Sequence, residues 1–150
     1  MNNEIYKLFV YGSLRSGFRN PVYEYLTKYF YLMDEAIVKG KLYDLGDYPA
    51  ATSTNEEIFI SGELYCINNP LEFSWAIGQL DDYEGLNVEE GEKALYKREE
   101  VTAYIKAAPH TAWIYWFNGE ISDKPEIESG DLLQYLQQKN KPWLHASCQQ

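Results

Sequence analysis

The sequence predicts an α+β fold in which a curved, largely closed β-sheet is covered by two or three helices. Strand-like segments outnumber helical ones and do not alternate with them in the regular order of a doubly wound parallel sheet. The 150 residues are enough for one domain with a hydrophobic core and too few for two. Because 45% of the residues are hydrophobic and 16% are aromatic, the chain is expected to be globular rather than disordered.

Five segments are predicted to be strands, because they are rich in β-branched and aromatic residues and are bounded by Gly, Pro or Asn. In chain order they are Ile5–Tyr11, Ala36–Leu45, Glu57–Ile67, Ala94–Ile105 and Ala112–Phe117. Gly40 marks a bend within the second segment. The segment Gly46–Ala51 is predicted to be a turn, since it contains Gly46 and Pro49.

Three further segments have apolar residues three or four positions apart, which is the spacing of one helical face. The first begins at Pro21 and is expected to reach about Tyr31. The second follows Pro70 and stops at Gly85, a residue type that commonly ends helices. The third opens within Ile127–Asp131. These are the helices expected to pack on the sheet.

The charge and the ends of the chain limit its partners. Lys and Arg number 13 against 23 Asp and Glu, and the resulting formal net charge of −10 disfavours binding to nucleic acid or anionic lipid. No basic segment followed by an apolar one starts the chain, and no apolar run approaches bilayer length. We therefore expect no membrane association and a cytoplasmic location. Residues 1–142 are predicted to form the domain, and residues 143–150 a flexible tail.

The cysteines and histidines do not form a recognisable metal site. Cys66 and Cys148 make no disulfide framework and are expected to be reduced thiols. His110 and His145 have no Cys or His near them at ligand spacing. The sequence therefore predicts neither a bound metal nor a cofactor.

The first predicted strand ends in a glycine turn that is followed by arginines. Gly12 can take a positive φ or approach a ligand closely, because it has no Cβ. Successive N–H groups of Gly12, Ser13 and Leu14 can point at one anion, and Arg15 and Arg19 follow directly. These features favour a pocket for a carboxylate or an oxyanion. The alternative is an ordinary surface turn with solvated arginines.

Three acidic residues, Asp81, Asp82 and Glu84, lie at the end of the second predicted helix. The helix macrodipole disfavours negative charge at this end. The helix end, the neighbouring carboxylates and any burial would raise the pKa of a carboxyl group here toward the range used in general acid–base catalysis. The alternative is a solvated acidic helix end. Taken singly, Tyr96 and Tyr115 are core or interface aromatics.

Six short motifs together carry a resemblance to a known family. In order they are Tyr11–Leu14, Leu42–Ala50, Gly62–Tyr65, Leu80–Gly85, Tyr96–Arg98 and Ala112–Tyr115. This succession resembles the gamma-glutamylcyclotransferase-like superfamily, and in particular its shorter branch of gamma-glutamylamine cyclotransferase-like proteins, over roughly residues 5 to 140. Leu14 follows Ser13 directly, as in the shorter branch.

The resemblance implies a small mixed β-barrel with flanking helices and a pocket that opens at one end. Glu84 matches the single catalytic acid/base of the family. The first motif matches a backbone cradle for the γ-glutamyl carboxylate and the reacting carbonyl, and two tyrosines match hydroxyl groups that line the pocket. The substrate-binding residues implied in this way are Tyr11, Gly12, Ser13, Leu14, Tyr96 and Tyr115.

The reaction that the resemblance implies requires no metal and no enzyme nucleophile. The α-amine of a γ-glutamyl group attacks its own γ-carbonyl, closes a five-membered lactam, and releases 5-oxoproline and an amine; one carboxylate can move both protons. The expected partner is a small γ-glutamyl compound, and the negative surface favours a cationic leaving amine. Two alternatives stay open: a non-catalytic binder of an amino-acid-like ligand on the same barrel, and an interaction module that uses surface tyrosines and tryptophans.

Overall fold

The computed structural model describes residues 5–11, 21–45, 49–84, 86, 94–132 and 134–136. Its helices and strands are β1 (Lys7–Val10), α1 (Pro21–Tyr29), β2 (Phe30–Lys39), β3 (Lys41–Asp44), β4 (Pro49–Thr52), β5 (Phe59–Ile67), α2 (Phe73–Tyr83), β6 (Tyr96–Ile105) and β7 (Ala108–Phe117). A short 3₁₀ helix at Pro70–Glu72 precedes α2, and residues 132 and 134–136 are also helical. The predicted tail at residues 143–150 lies outside the described residues.

Five strands close into a barrel in the order β1, β5, β2, β6, β7. The neighbours along this order are antiparallel, and a parallel contact between β1 and β7, with Leu8 opposite Trp113, closes the barrel. β3 and β4 form a separate antiparallel pair. The prediction of an α+β fold, with a small mixed β-barrel and flanking helices, is confirmed.

Side chains alternate between the two faces of a strand, and the barrel strands therefore contribute to two hydrophobic clusters. One cluster contains Phe9, Ile114 and Trp116 and fills the barrel interior. The other contains Tyr115 from β7 and Leu80 from α2, and lies between the barrel and the helices. Tyr115 thus faces α2, whereas its neighbours Ile114 and Trp116 face inward.

Two segments differ from the sequence prediction. The first helix ends at Tyr29 and β2 begins directly at Phe30, because β2 pairs with β5 along its whole length and starts opposite Ile67. The last three residues of the predicted turn at Gly46–Ala51 belong to β4, whose residue Ala50 lies opposite Tyr43 of β3. In both cases strand pairing overrides the local signal.

Helix α2 carries the acidic end that the sequence predicted. The side chain of Asn69 accepts a hydrogen bond from the Leu71 N–H at 3.0 Å and caps the preceding 3₁₀ helix. The buried residues of α2 recur at helical spacing and pack against the outer face of the barrel; they are Phe73, Ala76, Ile77 and Leu80. The helix ends at Tyr83, and Glu84 is its C-cap. Packing of the apolar face therefore fixes where Glu84 lies.

In the part of the chain that the structure describes, no helix has both the length and the apolar character needed to cross a membrane.

Candidate active site

Glu84 follows the last turn of α2, and its environment changes its acidity. Its backbone N–H donates to the Leu80 carbonyl oxygen at 2.9 Å, so the helical hydrogen bonds continue to the cap. Burial of the carboxyl group, with a further contribution from the negative charge of Asp81, raises the pKa of Glu84 to about 7. Such a group is partly protonated at neutral pH and can both accept and donate a proton.

Asp81 lies one turn earlier and has a different environment. Its Oδ1 accepts hydrogen bonds from Arg98 Nε at 2.7 Å and from the Tyr115 hydroxyl at 2.8 Å, and its Oδ2 accepts one from an Arg98 terminal nitrogen at 3.0 Å. This is a two-pronged arginine–carboxylate pair, the strong geometry for such contacts. The side chains of Arg98 and Asp81 are only 21% and 14% exposed, so solvent screens the pair incompletely.

The hairpin of β6 and β7 presents these partners to α2. Arg98 lies directly opposite Tyr115 in the antiparallel register, and Tyr96, two residues before Arg98, lies on the same face because side chains alternate along a strand. The Arg98 guanidinium also sits 4.5 Å from the ring centroid of Trp113, a favourable cation–π contact. Arg98 is therefore held by both an aromatic ring and a carboxylate.

Tyr11 comes directly after β1 and connects the barrel to the site. Its hydroxyl donates to the Tyr115 carbonyl oxygen at 2.5 Å. Burial raises the pKa of Tyr11 well above its usual value, and Tyr96 and Glu84 raise it further through their charges. β5 can approach β1 closely here because residue 62 is glycine: a Cβ at Gly62 would overlap the Val10 carbonyl oxygen.

The hydroxyl protons of the three tyrosines are all donated to protein acceptors. Tyr11 donates to a backbone carbonyl of β7, Tyr96 donates to the Pro49 carbonyl oxygen at 2.6 Å, and Tyr115 donates to Asp81. Burial, followed by the nearby Asp81, raises the pKa of Tyr115 far above its usual value, so this hydroxyl keeps its proton. A hydroxyl whose proton is already donated can offer a ligand only lone pairs. The site is thus suited to bind N–H groups.

The structure brings four of the predicted site residues into one region. Glu84 acts electrostatically on both Tyr11 and Tyr115, and Tyr96 acts on Tyr11. Their roles toward a substrate remain predictions. The other predicted residues, Gly12, Ser13, Leu14, Arg15 and Arg19, lie outside the described residues, as does the helix-ending Gly85.

Sequence reasoning did not pair Asp81 with Arg98, although both were visible in motifs. Two signals were available. Asp81 precedes Glu84 by three positions, which places both near one side of a helix, and Arg98 shares its strand face with Tyr96. What the sequence did not contain was the register that sets Arg98 beside Tyr115.

The ion pair also lines a surface cavity of about 470 Å³. Its lining includes Asp81, Arg98 and Trp113, together with Ile77 and Gly78 of α2. Glu84 is not part of this lining, so the ion pair borders a groove that Glu84 does not line. Within the described ranges, no three His, Cys, Asp or Glu side chains are grouped as a metal site would require.

Comparisons with known proteins place this chain in a family. The chain is 30% identical over 129 residues to gamma-L-glutamyl-butirosin B gamma-glutamyl cyclotransferase of Niallia circulans, a match that covers 85% of this chain and 76% of that protein. The solved structure of YkqA from Bacillus subtilis is similar with a TM-score of 0.68 and 25% identity over 92% of this chain; the match covers 43% of YkqA, so this chain spans less than half of that protein.

A more distant structure has the same fold. An AIG2-like protein from Mus musculus is 18% identical and has a TM-score of 0.63, with 86% of this chain and 90% of that chain covered. The family model described as "Gamma-glutamyl cyclotransferase, AIG2-like" matches residues 8–134, a range that includes every described residue of the candidate site. The chain therefore belongs to the gamma-glutamyl cyclotransferase, AIG2-like family.

Proposed function

We propose that this protein converts a γ-glutamyl amine into 5-oxoproline and the free amine, with Glu84 as the single proton-transfer group. The observation that carries the proposal is the partial burial of Glu84 at the end of α2, which raises its pKa to about 7. An ordinary glutamate has a pKa of 4.5, and an α-ammonium group has one of about 8 or higher. Burial thus moves the pKa of the base toward that of the ammonium group from which it must remove a proton.

In the proposed reaction, the Glu84 carboxylate first takes a proton from the substrate's α-ammonium group. The freed amine attacks the γ-carbonyl carbon, and a C–N bond closes the five-membered ring. Glu84 passes its proton to the leaving nitrogen as the bond from this carbon to that nitrogen breaks. The regenerated carboxylate then takes the second proton that the ring nitrogen must lose and transfers it to the released amine, which departs as an ammonium ion. Both protons lost by the α-nitrogen thus end on the leaving nitrogen, so atoms and protons balance without water, metal or cofactor, and ring closure is favoured because both reacting groups belong to one molecule.

The tyrosines support recognition of the reacting amine. Because Tyr115 donates its hydroxyl proton to Asp81 and Tyr96 donates its proton to Pro49, both oxygens can only accept hydrogen bonds from a ligand. We propose that they accept N–H groups of the substrate and hold its ammonium group beside Glu84. A carboxylate ligand would instead be repelled, because its oxygens and the two tyrosine oxygens would all be hydrogen-bond acceptors.

Donors for the substrate's carboxylate and for the oxyanion are proposed on the predicted glycine turn. The family resemblance assigns them to the backbone N–H groups of Gly12, Ser13 and Leu14, which lie outside the described residues. Such preorganised donors are a usual means of stabilising an oxyanion. Tyr11, which comes directly before this turn, is fixed by its hydrogen bond to β7 and would anchor the start of the turn.

The leaving amine is proposed to be cationic. The protein has a formal net charge of −10, which attracts cations to its surface. The relative from Niallia circulans is named for γ-L-glutamyl-butirosin B, and that compound belongs in a substrate panel together with γ-glutamyl-ε-lysine and γ-glutamyl polyamines.

The test is an assay of 5-oxoproline release from this panel by wild-type protein and by Glu84→Gln. We expect turnover by the wild type and a loss of about 1,000-fold in the variant, which keeps the shape of the side chain but cannot transfer the proton. Wild-type kcat/KM is expected to rise with pH and to level off above the Glu84 pKa of about 7.

The matched control is Asp82→Asn, which also converts an acid to its amide on the same helix but at an exposed position, and it should keep wild-type turnover. If the wild type binds 5-oxoproline or a γ-glutamyl compound, measured by calorimetry, but releases no product from any substrate, the protein is a binder and the proposal is wrong. Full activity in Glu84→Gln would likewise reject Glu84 as the proton-transfer group.

A further inference from the structure

Asp81 ties together three elements around the candidate site. Its two carboxylate oxygens accept hydrogen bonds from Arg98 on β6, at 2.7 and 3.0 Å, and from Tyr115 on β7, at 2.8 Å. Arg98 is held in turn on the face of Trp113. A single carboxylate on the last turn of α2 therefore fixes that turn to the β6–β7 hairpin.

The turn that Asp81 fixes is the one that presents Glu84. The Glu84 N–H donates to the Leu80 carbonyl oxygen at 2.9 Å, and the Leu86 N–H donates to the Asp81 carbonyl oxygen at 3.0 Å. The backbone on both sides of Glu84 is thus bonded to Asp81 or to the residue before it. A displacement of Asp81 would move Glu84 as well.

Asp81 and Arg98 also carry opposite charges close to Glu84. Three described groups interact electrostatically with Glu84: Asp81 on its own helix raises its pKa, and Glu84 raises the pKa of Tyr11 at the end of β1 and of Tyr115 on β7. Arg98 contacts Asp81 directly and acts on Tyr115 with the opposite sign. The negative charge of Asp81 disfavours ionisation of Glu84. Because a nearby positive charge favours the ionised form of a carboxyl group, the guanidinium that neutralises Asp81 is expected to reduce this effect.

We propose that the Arg98–Asp81 ion pair is a positioning unit of the active site, which holds the last turn of α2 and the Tyr115 hydroxyl in place and sets the charge next to Glu84. This inference rests on the proposed role of Glu84 in proton transfer. Neither Asp81 nor Arg98 needs to touch the substrate, since they act through Glu84 and Tyr115. The pair is reached by solvent from the groove that it lines, so replacing one partner does not seal an isolated charge in the core.

The test is a pH titration of Glu84 followed by the NMR shift of its ¹³C-labelled side-chain carboxyl, with Glu84→Gln used to assign the signal. Asp81→Asn removes the negative charge and is expected to lower the pKa of Glu84 by about one unit. Arg98→Met removes the positive charge, leaves Asp81 unneutralised, and is expected to raise that pKa. The two variants break the same contact but shift the titration in opposite directions.

The opposite signs separate this proposal from a merely structural role. If the pair only braced the helix end, either variant would loosen the turn, let water reach Glu84 and lower its pKa. Shifts in the same direction, or no shift in either variant, would therefore overturn the proposal. The matched controls are Asp82→Asn and Lys97→Met, which make the same charge changes at exposed neighbours and should leave the titration within about 0.2 units.

A double variant covers the case in which a single variant does not fold. Asp81→Asn/Arg98→Met has no unpaired charge, and the Glu84 titration is expected to stay closer to wild type than in either single variant, while Tyr115 loses its charged acceptor and kcat falls about tenfold. A folded double variant with wild-type titration and wild-type kcat would overturn the proposal.

The NMR titration does not depend on turnover, so the two proposals can fail separately. Opposite shifts in a protein that releases no 5-oxoproline would keep the positioning unit and reject the proposed reaction. Release of 5-oxoproline by the wild type, together with titration shifts in the same direction in both variants, would keep the proposed reaction and reject the positioning unit.

Discussion

The two carboxyl groups at the end of α2 lie three positions apart and have opposite environments. Asp81 accepts three hydrogen bonds, two of them from a guanidinium group. Glu84 is partly buried, and the charge of Asp81 adds to the effect of this burial in raising its pKa to about 7. One acid is compensated by its neighbours, and the other is left with a high affinity for a proton.

This difference shows how one helix end can carry one carboxyl group that makes structural contacts and another whose pKa suits proton transfer. A helix C-terminus disfavours both negative charges. At Asp81 the cost is offset by Arg98 and Tyr115, which belong to adjacent strands of the barrel. At Glu84, burial of the carboxyl group and the charge of Asp81 further disfavour ionisation and raise the pKa to about 7. Substitutions at the two positions should therefore change stability in opposite directions.

The largest expected effect on stability comes from Asp81→Ala. This change leaves the Arg98 guanidinium, which is 21% exposed, without its carboxylate, and leaves the Tyr115 hydroxyl without an acceptor. We expect the free energy of unfolding at pH 7 to fall by about 2–3 kcal/mol, less than for a fully buried pair because solvent reaches Arg98. Urea unfolding measures it.

The matched control for this change is Asp82→Ala, one position along the same helix end and exposed. It should change the free energy of unfolding by less than about 0.5 kcal/mol. A loss at Asp81 of less than about 0.5 kcal/mol would mean that the contacts of Asp81 contribute little to stability.

The next largest effect on stability comes from Glu84→Gln, which is expected to increase the free energy of unfolding at high pH. The folded-state pKa of Glu84, about 7, is higher than the ordinary value of 4.5, so the folded protein binds more protons than the unfolded chain between these values. The stability linked to this proton is present below pH 4.5 and is lost as the pH rises through 7. Glu84→Gln removes the cost of ionisation, and we expect it to stabilise the protein by about 2 kcal/mol at pH 8 relative to pH 5.

The measurement is the difference in unfolding free energy between wild type and Glu84→Gln at pH 5 and at pH 8. Other groups titrate equally in both proteins and cancel in this difference. The difference would not change with pH if the carboxyl group were solvated, and Glu84→Gln would be the less stable protein at pH 8 if the carboxylate were paired with a cation. Either result would show that burial does not raise the pKa of Glu84.

The sequence predicted the fold class and most strands because the apolar patterns are local and strong. The stretch Ala112–Phe117 was identified as a strand, and the helical spacing before Gly85 placed Glu84 at a helix end, as observed. The sequence prediction was wrong where pairing between strands decided the secondary structure. β2 starts at Phe30 because it is held along β5, and no local signal at Phe30 reports a partner that is distant in sequence.

The candidate site shows the same division. Glu84 could be selected from the sequence because a motif and an unfavourable helix end coincide there. The ion pair of Asp81 could not, since it depends on the register of β6 against β7, which sets Arg98 opposite Tyr115, and on the approach of α2 to that hairpin. Long-range geometry, rather than residue type, therefore decides that Arg98 pairs with Asp81 beside the candidate site.

The smallest expected difference distinguishes the two tyrosine hydroxyl groups. Tyr115→Phe removes a hydrogen bond to the Asp81 carboxylate, whereas Tyr96→Phe removes one to the neutral Pro49 carbonyl. Hydrogen bonds to charged groups contribute more than neutral ones, so we expect losses in unfolding free energy of about 2 and about 1 kcal/mol respectively. Urea unfolding of the two variants at the same pH provides the comparison.

Each change deletes one oxygen from a tyrosine of the same face of the hairpin, so loss of ring packing does not contribute to the difference. If Tyr115→Phe costs no more than Tyr96→Phe, the charge of Asp81 does not strengthen its hydrogen bond to Tyr115, and Arg98 alone satisfies that carboxylate. A larger cost for Tyr115→Phe that disappears in the Asp81→Asn background would assign the extra stability to the Tyr115–Asp81 contact itself. That result would establish Asp81 as the residue through which β7, and not only β6, holds the end of α2.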